Sequence, residues 1–152
     1  LFLAMTPIHS QSSHANHTLA ALYSDVPPTI DGLLDEDLWL TAPRTEPFTQ
    51  KEPIEGGQPS ESTQVRIVYT ENSLFLGIVC SDSSPENIIA TELRRDGDLT
   101  KDDSIWILID SFHDHRNAFL FATNPFGTQY DALIIDEGDE VNEEWDEVES
   151  LG

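Results

Sequence analysis

Two stretches of the chain crowd carboxylates closely enough to do chemistry. Asp96, Asp98, Asp102 and Asp103 surround Gly97, and Asp136, Glu137, Asp139 and Glu140 follow further on. A hard cation such as calcium takes several oxygen ligands, and a glycine lets backbone carbonyls turn inward. Both stretches are therefore candidate calcium sites, with Asp96, Asp98, Asp102, Asp103, Asp136 and Asp139 as metal ligands. The spacing is not that of an EF-hand. Arg94, Arg95 and Lys101 flank the first stretch and allow a second reading, a salt-bridged loop; the other stretch has no basic neighbour in sequence. His113 and His115 flank Asp114, a set that suits a transition metal and equally reads as polar surface in a turn.

Paired carboxylates also raise glycoside hydrolysis, which needs two carboxyls at a set separation, one with a raised pKa in an apolar pocket. With 29 acids among 152 residues, adjacent pairs arise by chance, and no acid lies in an obvious apolar segment. No nucleophile elbow, P-loop, zinc-protease or dinucleotide motif is present. A non-enzymatic chain is expected.

Seven Lys plus Arg against 29 Asp plus Glu leave a net charge of −22. Binding to a nucleic-acid backbone needs the opposite balance. The single cysteine, Cys80, excludes an internal disulfide framework and a cysteine-built zinc cluster. Between two apolar neighbours in register, it is expected to be a small buried hydrophobe.

The elements that must position these groups are mostly strands. Pro27 to Gly57 is broken by prolines and leaves room for one short helix, with Asp35 as N-cap, Trp39 as core anchor and Pro43 as terminator. From Thr63 the period is two: Val65, Ile67 and Tyr69 form the expected inward face, and Leu74 to Cys80 returns through the turn Thr70-Glu71-Asn72-Ser73. Further strands are expected at Ile88–Leu93, Ser104–Asp110, Ala118–Thr123 and Gln129–Ile135, the last two joined by the turn Asn124-Pro125-Phe126-Gly127. Short strands at regular spacing with one early helix read as a mainly β chain, an antiparallel β-sandwich of jelly-roll type.

Both ends are distinctive. LFLAMTPIHSQSSHANH opens with a short apolar run, and Ser13-His14-Ala15 fits a small-x-small cleavage site, as in the tail of a secretory signal peptide. Residues 1–26 are read as this remnant and a flexible lead, and 27–152 as one module. No segment approaches the length of a spanning helix. After Arg116 the chain holds no Lys or Arg, and Trp145 sits within the acidic run that closes it. A fragment is expected.

The order of motifs is specific. IDGLLDEDLW precedes TQVRIVYTENSLFLGIVCSDS; then come LRRDGDLTKDDS, WILIDSFHDHRNAFLFATNPFGTQYDA and EEWDEV. This series resembles the family 9 carbohydrate-binding module, in the version found near the N-terminus of exported bacterial proteins ahead of a domain taken to be an outer-membrane β-barrel. The resemblance spans Pro27 to Val148. It implies a β-sandwich whose C-terminal strands are missing from this truncated module, extracellular binding of an oligo- or polysaccharide, and often calcium. It also implies a secreted, periplasmic or outer-membrane location. In sugar-binding members an indole just before the D-S strand walls a clamp; Thr100 and Lys101 stand there in this chain. A family glutamate is matched by Trp106 and an arginine by Phe121.

With Ile105, Ile107 and Ile109 inward, alternation puts Trp106 on the opposite face. Phe119 and Phe121 are expected on that same face, with Gln129 and Asp131 as hydrogen-bond partners and Trp145 nearby. The expected functions are a non-catalytic glycan platform or, with the same fold, a docking domain that packs on the remainder of its own chain, an outer-membrane barrel. An acid-base hydrolase fragment comes last.

Overall fold

The computed structural model describes residues 18–143 and Trp145. The signal-like segment around Ser13-His14-Ala15 and the end of the acidic run lie outside the described residues. The chain divides into two compact units at the Ser83–Ser84 junction. Strands dominate both, in one sheet of three and one of four.

In the first unit, β2 (Thr63–Tyr69) and β3 (Leu74–Cys80) form the expected hairpin, paired from Thr63 opposite Cys80 to Tyr69 opposite Leu74. The turn is closed by Thr70 N–H donating to the Ser73 carbonyl at 2.9 Å. A short strand, β1 (Leu22–Tyr23), adds in parallel to β2. Its residues fall in the stretch read from sequence as a lead, and two residues carry too little periodicity to announce a strand. The helix α1 runs Asp37–Thr41. Its N-cap position is Glu36 rather than Asp35, and no side chain caps it; Glu36 Oε1 instead accepts from Thr29 N–H at 2.9 Å. Asp37 in the first turn favours the helix dipole, and Pro43, which has no N–H to continue the ladder, follows the C-cap Ala42.

The helix lays Trp39 and Ala42 on Val68, with Leu22, Leu34, Leu38 and Phe75 around them. The face of β2 that meets the helix is thus that of Val68, opposite in parity to the expected Val65–Ile67–Tyr69 face. Val65 and Ile67 are half-buried and Tyr69 is exposed. The reason is the partner strand. Gly77 lies on the Val68 side, and a Cβ there would stand 2.9 Å from the Trp39 ring, so only this face offers the indole a floor. Cys80 is exposed, at the end of its strand, and not the buried hydrophobe expected.

In the second unit, β4 (Ile105–Ile109), β5 (Ala118–Thr123), β6 (Gln129–Ile135) and β7 (Glu140–Asn142) follow one another as antiparallel neighbours. Asn124 Oδ1 accepts from Phe126 and Thr128 N–H, and Gly127 takes a φ of 75° to close the β5–β6 turn. The β6–β7 turn is Asp136–Gly138, with positive φ at all three residues.

Ile88–Leu93 is not a strand. Its donors go to carboxylates instead: Ile89 N–H to Asp103, Thr91 and Glu92 N–H to Asp102, and Leu93 N–H to Glu92 Oε1. A segment whose N–H groups are taken locally has none left for a ladder.

Candidate functional site

Register decides which side chains of the four-stranded sheet meet. Trp106 pairs with Ala122 and Ala122 with Tyr130, so the two aromatics stand on one face of the sheet, two strands apart, with only a methyl between them. The rings lean across it, centroids 5.4 Å apart and planes at 58°. Trp106 Nε1 donates to Ser104 Oγ at 2.8 Å, and Ser104 in turn donates to the Leu99 carbonyl at 3.2 Å. The indole is pinned by its edge while its surface stays 38% exposed. Tyr130 donates its hydroxyl to Glu143 Oε1 at 3.0 Å. Burial, helped by Glu143, pushes the phenol up to about 12, so it remains a neutral donor.

The Asp96–Thr100 loop closes the third side. Asp98 Oδ1 accepts from Thr100 N–H and Oγ1 at 2.9 and 2.5 Å, which holds its carboxyl below the usual range. An added Cβ at Gly97 would lie 2.4 Å from the Glu92 side chain, which would have to move away. Asp96, at a φ of 57°, donates its N–H to the Gln129 carbonyl and so fixes the loop to β6. Together Asp96, Asp98, Thr100, Trp106, Tyr130 and Glu143 line a cavity of about 240 Å³. A larger cleft of about 340 Å³ beside the Thr45–Phe48 segment in the first unit has Phe48 as its one aromatic wall.

The expected grouping of Trp106 with Phe119 and Phe121 is overturned. Phe121 pairs with Ile107 and Phe119 with Ile109, so both phenyl rings share the isoleucine face, away from Trp106. Trp145 covers them, stacked on Phe119 at 4.9 Å and edge-on to Phe121 at 6.3 Å. Asp131 and Gln129 lie on that face too, engaged by one guanidinium: Arg95 meets Asp131 at 2.6 Å and Gln129 at 3.0 Å, and it also contacts Asp96 at 3.2 Å. Asp131 is buried, so it serves as an anchor for Arg95. Tyr130 and Glu143 were not foreseen from the sequence. Tyr130 stands in the quoted GTQYDA segment beside the residues that were singled out.

Most of the acids expected to hold calcium have partners in the protein. Asp102 spends both oxygens on the protein, accepting from Thr91 N–H, Thr91 Oγ1, Glu92 N–H and Asn124 Nδ2 at 2.7 to 3.0 Å. These bonds, that from the Thr91 hydroxyl foremost, depress its pKa strongly. Asp103 accepts from Ile89, Asp98 from Thr100, and Asp96 meets Arg95. In the second stretch Asp136 pairs with Arg116, so a basic partner absent from the sequence neighbourhood arrives from the β4–β5 loop. Asp139 is exposed. Among the described residues no group of three or more His, Cys, Asp or Glu side chains is placed to hold one metal ion. His113 and His115 are exposed, with rings 4.7 Å apart; Asp110 lies 3.8 Å from His115 Nδ1.

No family model matches the chain, and no curated protein or solved structure matches it. Among the described residues no helix is long and apolar enough to cross a membrane.

Proposed function

We propose that the chain is a non-catalytic carbohydrate-binding module of β-sandwich fold, similar to the family 9 modules, whose glycan site is the Trp106–Tyr130 pocket. The observation that carries this reading is the pairing of an open, edge-pinned indole with a second ring and with the oxygen-rich groups Asp98, Thr100 and Glu143 in one cavity. Sugar rings present apolar C–H faces to aromatics and hydroxyls to hydrogen-bonding oxygens, and this pocket offers both. Asp98, held below the usual carboxylate range by Thr100, is a hydrogen-bond acceptor and not a general acid. Export follows from the same reading, supported by the signal-like N-terminal pattern.

Binding of the full chain to an oligosaccharide array, repeated with Trp106→Ala, tests the proposal. Retained binding by the variant would move the site elsewhere, and turnover of any oligosaccharide would overturn the non-catalytic part. The docking alternative draws on Leu108, which stands 63% exposed on the same face of β4, two residues from Trp106. A chain that binds no glycan but associates with a barrel domain supplied in trans would favour it.

A further inference from the structure

We propose that the Trp106–Tyr130 pocket selects sugars that carry a protonated amine, the deacetylated amino sugars, over neutral and acidic ones. The inference rests on the glycan reading above and deepens it. Two aromatic faces meet at 58° beside the carboxylates of Asp96, Asp98 and Glu143, within a single cavity. An ammonium held over an indole or phenol face is attracted by the ring's negative face, the more so where water is partly excluded. The neighbouring carboxylates then accept its protons in charge-assisted bonds, about twice as strong as those a neutral hydroxyl can offer.

The basic side chains offset this bias only in part. Among the described residues no lysine or arginine lines the cavity. Arg95 pairs with Asp96 at 3.2 Å while Asp131 and Gln129 hold its other end, so the carboxylates left to the pocket are those of Asp98 and Glu143. Asp98 is stabilised as an anion by Thr100 and, at longer range, by Lys101, and among the described residues Glu143 receives the neutral Tyr130 hydroxyl. The field of the whole chain, at −22, repels a uronate or a sulfated sugar and concentrates a cationic one near the surface. A neutral sugar would strip water from these carboxylates without returning an ionic contact, which costs affinity.

Calorimetry with the full chain tests the selection directly, using three β-1,4-linked tetramers of equal length: of glucosamine, of N-acetylglucosamine and of glucose. The glucosamine tetramer is expected to bind at least about tenfold tighter than either of the others, the size of one charge-assisted contact. Its advantage should shrink as salt is raised and as pH rises through the amine's titration. Asp98→Asn and Glu143→Gln should each reduce the preference, and Trp106→Ala should abolish it, with an unchanged thermal melt confirming that each variant is folded. Glu71→Gln removes one charge from the hairpin turn of the first unit and should leave it intact.

If all three tetramers bind equally and Trp106→Ala weakens all of them, the pocket stands and amine selection falls. If the glucosamine tetramer binds Trp106→Ala as well as it binds the parent chain, the attraction belongs to the acidic surface as a whole, and the inference is overturned. If no tetramer binds, the glycan reading falls and takes the inference with it.

Discussion

Trp39 and Trp106 each lie above a small residue of a β-sheet, Gly77 in one unit and Ala122 in the other. They end in different states. Trp39 is 3% exposed and Trp106 38%. The first indole is delivered by a helix onto its sheet, and its Nε1 has no hydrogen-bond partner. The second grows out of the sheet itself, tied through Nε1 to Ser104. An indole brought by a separate element becomes a core anchor, because it is enclosed between that element and the sheet. An indole standing on the sheet keeps a face free and, once its N–H is pinned, becomes the wall of a pocket. The missing N–H partner of Trp39 is tolerable because the packing around it contributes more than one lost hydrogen bond.

The largest effect expected from this contrast is on Trp39. Trp39→Ala should destabilise the first unit by about 3–5 kcal/mol, as for other buried aromatics, read as a fall in the urea midpoint of the full chain. Trp106→Ala should change stability by about 1 kcal/mol or less while removing glycan binding. Equal losses at the two positions would erase the distinction between anchor and wall. Next comes the floor. Gly77→Ala forces a Cβ into the Trp39 ring and should cost about 1–3 kcal/mol by overpacking. A neutral result would mean that the helix can lift off its sheet without penalty.

Acid sharpens the comparison from the other unit, because the loop that shapes the Trp106 pocket is held by depressed carboxylates. Glu92 is lowered to about 2, chiefly by Arg94, and Asp102 lower still by Thr91, Glu92 N–H and Asn124. Between their ordinary values and these, the unfolded chain binds protons that the folded chain does not, so stability falls as pH falls. The contribution is complete above about 4.5, the ordinary value for Glu92, and disappears on the way to about 2. Near-neutral stability of the second unit should therefore decay in that window, with loss of the pocket's tryptophan signal. Asp102→Asn should blunt the slope. A pH-independent melt across the window would show that these bonds form equally in the unfolded chain.

Much of the strand order could be read from alternation and turn chemistry: the Thr63–Cys80 hairpin, the strands at Ile105, Ala118 and Gln129, and the Asn124–Gly127 turn all stand close to their expected places. What could not be read is which faces coincide. In β4 both parities are apolar, Ile105, Ile107 and Ile109 on one side and Trp106 and Leu108 on the other. The pattern is therefore silent on which of them joins Phe119 and Phe121, and cross-strand register settles it against the expected grouping. The same ambiguity hid Tyr130, which becomes a partner of Trp106 only across Ala122. Strand β7 was hidden by its acids: Glu140-Val141-Asn142 looks like tail, yet it pairs with Leu133–Ile135. Ile88–Leu93 erred in the other direction, its apolar residues suggesting a ladder whose donors are already taken by Asp102 and Asp103.

The smallest effect concerns calcium, which the density of acids recommends and their bonding argues against. A ligand that binds only the folded chain raises its melting temperature by mass action. For Asp102 to ligate, it would have to release donors from Thr91, Glu92 or Asn124, the same bonds that hold the Ile88–Leu93 segment to the β5–β6 turn. A cation there would exchange protein bonds for metal bonds at little net gain. The melting temperature is accordingly expected to be nearly the same in calcium and in chelator, and the destabilisation by Asp102→Asn equal in both. A clear rise with calcium that Asp102→Asn abolishes would show that the loop rearranges around the ion. The pocket beside Trp106 would then be shaped by a metal rather than by Thr91 and Asn124. A rise that survives Asp102→Asn and is lost in Asp136→Asn would instead place the ion at the β6–β7 turn, where it would have to displace Arg116 from Asp136.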